Sequence, residues 1–406
     1  MAEEYYLQEP RKQRFYKILA TVMHYLALGD KTWWGYSKPN KFFVFHNYIV
    51  LSFSPALLFT QLMYLYVNFD DLTFDTLGII LSIVPVACLA NVNVYSARLT
   101  SYKTIMKEFM SKIHLINEYK NNDEYIKKKV IEVERITRWT AYYLMFFFSM
   151  NWVAWIWIPI VNNINNKDLI QNRTMRLQTC VYMWFPFDYG FNYRNWLCVH
   201  SINIYVDACG VTVMMIFHII NYTFMFHLIG HIQILKYKLE TEFNERLTDR
   251  EAKDKLVAVI KHHAFITRIF SNVQSAFGIN VTTNYLHNLV GDSLIMYQIM
   301  YGGKQNIILY MVMVTVYIGN LIMMSFVLEE MRRQTEDLAD VVYSMPWENM
   351  SVSNQKTFIL LLQRVQPALE FVAMGGLRAG VRPMISIIKT TFSYYVMLET
   401  SMAGKS

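Results

Sequence analysis

The stretch TTFSYYVMLET, residues 390–400, lies near the C-terminus, inside a segment (384–402) that is about long enough to cross a bilayer. On a helix, positions 386, 390, 393, 397 and 401 share one face, which here carries Ser386, Thr390, Ser393, Met397 and Ser401. The opposite side carries Ile388, Phe392, Tyr395 and Leu398. Hydroxyls gain nothing from facing lipid. They suit close helix–helix packing, where small polar groups let backbones approach, and they suit a water-filled pore, where they solvate passing ions. Spacing alone leaves both settings open. In the pore setting Met397 is the one bulky apolar side chain on the wet face, and a ring of such side chains gates by dewetting. One helix cannot enclose a pore, so this setting demands several copies around an axis.

The rest of the chain supplies the membrane context. Of its 406 residues 54% are hydrophobic and only 17% are charged, against about 25% charged in soluble proteins. Six further segments have the length of a span: 42–68, 72–96, 139–161, 202–229, 273–300 and 306–328. The fifth in order, 273–300, is interrupted by Asn280, Asn284, His287, Asn288 and Asp292. Its polar face reads as glue between helices, and Asp292 as a group that attracts cations. Stretches 1–41, 97–138, 231–272 and 329–383 hold 31 of the 38 Lys and Arg residues. Since cytoplasmic loops carry that excess, the expectation is an all-α integral membrane protein with seven transmembrane helices, N-terminus cytoplasmic and C-terminus extracellular. The first ten residues are polar and acidic and do not read as a signal peptide.

This topology puts loop 162–201 outside. Asn172-Arg173-Thr174 there is a glycosylation sequon; the sequons at Asn221, Asn280 and Asn349 fall in spans or inside. Cys180 and Cys198 share the loop in an oxidising setting that permits a disulfide. Segment 11–28 puts Phe15, Ile18, Leu19, Val22, Met23 and Leu26 on one face, which suits either the inner leaflet or the protein's own inner surface. Phe358, Leu361, Leu362, Val365 and Leu369 recur at helical spacing, and packing against neighbouring subunits would bury them. No phosphate loop, CxxC, HExxH or GxSxG occurs. His227 and His231 stand at i, i+4 without an accompanying carboxylate in sequence, and interfacial histidines are their plainer account. No enzyme activity, metal, cofactor or nucleic-acid partner is expected.

The C-terminal third resembles the insect odorant receptor family. The resemblance rests on TVYIGNLIMMSFVLEE (315–330), YSMPWENM (343–350), LLLQRVQPALEFVAMGGLRAG (360–380) and SIIKTTFSYYVMLET (386–400), and more thinly on LALGDKTWW (26–34). It implies a tetrameric, odorant-gated cation channel subunit of olfactory sensory neurons, in the plasma membrane, whose last helix lines the pore with Met397 at the gate and Ser401 in the next ring. The short 231–272 loop implies a ligand-tuning subunit that assembles with the odorant receptor co-receptor (Orco). A G-protein-coupled receptor and a gustatory-type receptor channel are the alternatives. The implied organisation is a cytoplasmic N-terminal segment (1–41), a six-helix ligand-binding region (42–328), a subunit-anchoring segment (329–383) and the pore helix with its tail (384–406). The family binds volatile organic ligands in the outer half of the bundle, among spans two, three, four and six. On those spans we expect Phe74, Leu77, Leu81, Phe146, Met150, Trp157, Tyr205, Thr212, Met215, Tyr310 and Met313 to line the site, surrounded by membrane lipids outside.

Overall fold

The computed structural model describes residues 2–119, 123–243, 247–301 and 306–403, without the side chains of 2, 3, 75, 394, 395 and 398–403. Seven long helices build the described chain: α1 (Lys41–Asn68), α2 (Phe74–Ser96), α3 (Glu124–Asn165), α4 (Tyr193–Glu242), α5 (Asp249–Tyr301), α6 (Ile307–Glu336) and α7 (Val381–Ala403). Their starts are written in side chains. Thr73 Oγ1 accepts from the Thr76 amide to open α2. The Asp123 carboxylate accepts from the amides of Tyr125 and Ile126 to open α3, and Asn192 Oδ1 does the same for Arg194 and Asn195 at α4. Each of these oxygens satisfies amides that have no partner within the helix.

Five of the seven, α1, α2, α3, α4 and α6, are long and apolar enough to cross a membrane. α5 and α7 are long but too polar to qualify by composition. The packing explains α5: it touches α2, α4, α6 and α7, so its polar groups face protein. Asn280 Nδ2 donates to Asn93 Oδ1 at 2.7 Å and to Ser96 Oγ at 2.9 Å, tying α5 to α2. Tyr285 meets Ser325 of α6 at 2.9 Å and its hydroxyl accepts from the Gly380 amide at the start of α7. The same burial corrects the reading of Asp292. It is 2% exposed, so it does not stand where water would bring it a cation. On α2, Gly78 leaves the space that the end of the Gln298 side chain of α5 fills, so any Cβ there would push that side chain aside.

α3, α4 and α5 run to 42, 50 and 53 residues, and a helix of 50 residues is about 75 Å long, more than twice a hydrocarbon core. Their excess lengths emerge together at the end rich in Lys and Arg. There they pack with the helix Arg14–Tyr25 and with residues 100–118. Tyr16, Leu19, Met23 and Leu26 are buried, while Ile18 stays exposed. Of the two settings for the amphipathic segment, the structure therefore shows packing on the chain's own surface. At its centre Glu134 is fully buried. It accepts from the Tyr16 hydroxyl at 2.7 Å, lies 2.7 Å from His114 Nε2, and accepts from Arg138 at 3.2 Å.

The helix Val352–Val365 differs from expectation. Phe358, Leu361 and Val365 are buried against this chain's own α5 and the short helix Leu338–Tyr343 rather than awaiting a neighbour. Trp347 stacks on Phe358 at 5.7 Å. Its exposed apolar residues are instead Val352, Ile359 and Leu360.

Candidate ligand cavity and pore face

At the end away from the basic cluster, loop residues 176–190 fold back into the bundle. Asn163 Nδ2 and Trp196 Nε1 donate to the Gln178 carbonyl, and Asn203 Nδ2 donates to the Val181 carbonyl, at 2.7–2.9 Å. Beneath this lid is a small cavity among α2, α3, α4 and α6. Its walls are Ile83 and Val86, then Phe148, Asn151 and Trp155, then Asp207, Val211 and Met214, then Tyr317, with Cys180 and Val181 from the loop. Its free volume is about 30 Å³, room for a water or two. Two polar atoms in its wall, Asn151 Oδ1 and Asp207 Oδ2, are buried with no hydrogen-bond partner among the described residues.

A larger cavity of about 590 Å³ lies between α1, α2 and α4. Its wall includes Phe53, Ile202 and Tyr205, all exposed on the outside of the bundle. Its polar groups are already paired: Ser54 with Asn91, and Tyr205 with His46. Size favours this cavity. Chemistry favours the inner one, because a ligand's polar group finds an unmet partner only there.

None of the residues expected from sequence to line the ligand site stands on the wall of the inner cavity. Phe146 and Trp157 are exposed on the outer side of α3, and Met150 is half-buried. The cavity face of that helix is Phe148, Asn151 and Trp155, at i, i+3 and i+7. On α2, Phe74 is exposed and packs on Tyr297, with Leu77 and Leu81 half-buried; Ile83 and Val86 line the site instead. On α4, Tyr205 borders the outer cavity, and Thr212 and Met215 are half-buried, each one position past Val211 and Met214 of the inner wall. On α6, Tyr310 and Met313 are buried off the cavity wall, and Tyr317, on the same face, reaches it.

α7 is two-sided. Met384 and Thr391 are buried where it packs on α5 and α6. Ser386, Ser393 and Met397 are exposed and Thr390 is half-buried; the side chain of Ser401 lies outside the described residues. Thr390 Oγ1 donates to the Ser386 carbonyl at 2.8 Å, and Ser393 Oγ donates to the Lys389 carbonyl at 2.9 Å. With their protons spent on the backbone, both oxygens present lone pairs outward.

Comparison with known proteins fits this architecture. The 7tm odorant receptor family model matches residues 48–392. The chain belongs to that family. This receptor's fold is similar to the solved insect olfactory receptor OR5 from Machilis hrabei, with 14% identity over 95% of this chain and 97% of that one and a TM-score of 0.78. The structure of that OR5 in complex with eugenol gives 13%, 96%, 98% and 0.75. At such identities the likeness speaks for the fold. No curated protein matches the sequence. A multi-pass membrane receptor is what the family and the apolar helices together establish.

Two other expectations for the receptor meet the structure here. Cys180 is buried with its sulfur 3.6 Å from His200 Nδ1, whereas Cys198 is exposed on α4, and both are free thiols. The disulfide is not formed: the loop residue points into the core and the helix residue away from it. Asn172 is exposed, while Asn221 and Asn280 are buried. Replacing Asn172 with Gln should therefore abolish the glycosidase-sensitive gel shift of the expressed receptor entirely. A shift that survives in N172Q would place another sequon outside and overturn the topology.

Histidine placement also corrects the sequence reading. His227 and His231 do not share a ligand, and each meets a carboxylate from elsewhere in the chain. His227 joins His114 and Glu134, and His231 joins His262 and Glu118. Neither carboxylate is visible as a neighbour in the sequence.

Proposed function

We propose that this receptor is the ligand-tuning subunit of an odorant-gated, non-selective cation channel, assembled as a tetramer with the odorant receptor co-receptor (Orco). Seven spans cross the plasma membrane of an olfactory neuron, with the N-terminus inside and the C-terminus outside. A small volatile ligand enters the cavity among α2, α3, α4 and α6, and α7 lines a central conduit. The observation that carries this reading is the two-sidedness of α7. One face is packed on α5 and α6, and on the other Ser386 and Ser393 are exposed among the described residues. Outward lone pairs on that face would favour cations, and Met397 supplies the apolar ring that dewets when closed. Ligand pockets hold about 300–1,000 Å³, so the inner cavity must widen to take an odorant. The unbranched Met214 can re-pack to allow this. That the solved OR5 binds eugenol, a small aromatic phenol, fits a site with aromatic walls and two unmet acceptors.

The test is cysteine accessibility in cells that express the receptor with the co-receptor. S386C and S393C should react with a charged methanethiosulfonate reagent during odorant exposure and lose current, while M384C, on the packed face, should not. Equal inertness at all three positions would remove α7 from the conduit, and full current without the co-receptor would remove the heteromeric assembly.

A further inference from the structure

Two groups of histidine and carboxylate lie at the basic end of the bundle, and their hydrogen bonding gives them opposite chemistry. In the first, His114 Nε2 lies 3.2 Å from the Tyr16 hydroxyl and His227 Nε2 lies 3.4 Å from it. Both rings accept a backbone N–H at Nδ1: Ile116 donates to His114 and Leu115 donates to His227, each at 3.2 Å. A neutral imidazole whose Nδ1 lone pair is so occupied carries its proton on Nε2. The converging atoms are therefore N–H groups aimed at the oxygens of Tyr16 and Glu134, and no lone pair is left for a cation.

The second group is wired the other way. His231 Nε2 lies 2.9 Å from the Ile113 carbonyl, which can only accept. The His231 proton is thus on Nε2, and the Nδ1 lone pair points inward. This ring-to-carbonyl bond is the outer partner that metal-ligating histidines commonly have. Inside, His262 Nε2–H donates to this Nδ1 at 3.1 Å; an ion that takes the place of that proton shifts it to His262 Nδ1, which has no partner among the described residues, and a Glu118 carboxylate oxygen completes a set whose members all lie within 4.8 Å of one another. A tetrahedral ion with bonds of about 2.0–2.1 Å has ligands about 3.3 Å apart, so the two imidazoles already stand at the required separation. Glu118, with 27% of its side chain exposed, can close on the ion by rotation.

We propose that Glu118, His231 and His262 form a Zn²⁺ site, open to a fourth water ligand, that clips the turn Leu115–Glu118 to the protruding ends of α4 and α5. Two imidazoles and one carboxylate suit zinc and do not suit magnesium or calcium, which take all-oxygen shells. Lys238 Nζ, 2.9 Å from Glu118 Oε2, is the competing cation: it holds the carboxylate when zinc is absent and must yield when zinc binds.

The test uses full-length receptor purified in detergent without a histidine tag and titrated with Co²⁺, whose tetrahedral complexes absorb strongly in the visible. One saturating equivalent per chain, displaced by Zn²⁺, is expected. H262A should weaken binding more than about 100-fold, since even an outer partner of a metal ligand is worth about 10- to 100-fold. H263A, which alters the neighbouring ring outside the group, should bind as wild type, and K238M should bind more tightly. His262 is only partly buried, so H262A keeps the test independent of any folding defect in H231A. No saturable band in the wild type, a band that survives in H262A, or an affinity that K238M leaves unchanged would each overturn the site. None of these readouts depends on channel activity.

Discussion

Replacing Glu134 with Ala is expected to cost about 3–5 kcal/mol of stability, the usual loss when one partner is removed from a buried ion pair. Glu134 is fully buried and collects Tyr16 from the N-terminal helix, His114 from the 109–118 segment and Arg138 from the next turn of α3. Its removal strands two donors and a guanidinium in the interior. Arg138 keeps a hydrogen bond to Gln13 Oε1 and lies over the rings of Tyr5 and Tyr6, so the loss should fall short of complete unfolding. The thermal midpoint of the purified receptor reads it directly. The pH dependence follows from the same contacts. Burial alone would raise the Glu134 carboxyl; the hydrogen bonds from His114 and Tyr16 and the charge of Arg138 more than offset this and leave it below its ordinary value. A carboxyl depressed on folding contributes stability above its unfolded value, and that contribution is lost as pH falls through the folded one. Wild type should therefore lose midpoint in acid below the ordinary carboxylate range, and E134Q should be flatter there. A midpoint within a degree of wild type for E134A would mean that the cluster holds nothing together.

The sequence carried the helices better than it carried their faces. The spans at 42–68 and 72–96 nearly coincide with α1 and α2. Spans three to five came out short because a hydropathy reading stops at the first charges. The helices themselves continue past those charges, α3 reaching back to its cap at Asp123. Faces were harder for a physical reason. In a soluble bundle apolar residues point inward, but in a membrane lipid is as apolar as the core, so size and hydrophobicity do not tell in from out. Phe146 and Trp157 are large and apolar and yet stand exposed on the outer side of α3. The informative residue was Asn151, since a polar group inside a span faces protein or water, and counting three back and four on from it reaches Phe148 and Trp155. Asp207 would have oriented α4 in the same way and leads to Val211 and Met214. The histidine groups were illegible, because His227 and Glu134, or His231 and Glu118, are joined only by the packing of separate helices.

D207L is expected to raise the half-maximal concentration of a hydroxyl-bearing odorant by about 5- to 150-fold, with its methyl ether shifted far less. The range follows from about 1–3 kcal/mol for leaving the ligand's buried hydroxyl without its acceptor, at about 1.4 kcal/mol per factor of ten. Asp207 Oδ2 and Asn151 Oδ1 are the unmet acceptors of the cavity wall, and only a ligand that donates can use them. An ether presents no proton, so it depends on Phe148, Trp155 and Tyr317 for contact and keeps most of its affinity in the variant. Leu is close to Asp in length and apolar, and it relieves the burial of an unpartnered carboxyl. The folded receptor should therefore be at least as stable as wild type, and a weaker response cannot be laid to misfolding. W155A, by contrast, enlarges the cavity and should shift preference toward bulkier ligands whether or not they donate. The comparison of alcohol with ether is decisive because the two share shape and differ in one proton. If D207L moved both equally, the ligand would not sit under the 176–190 loop against α4, and the exposed cavity between α1, α2 and α4 would become the place to look.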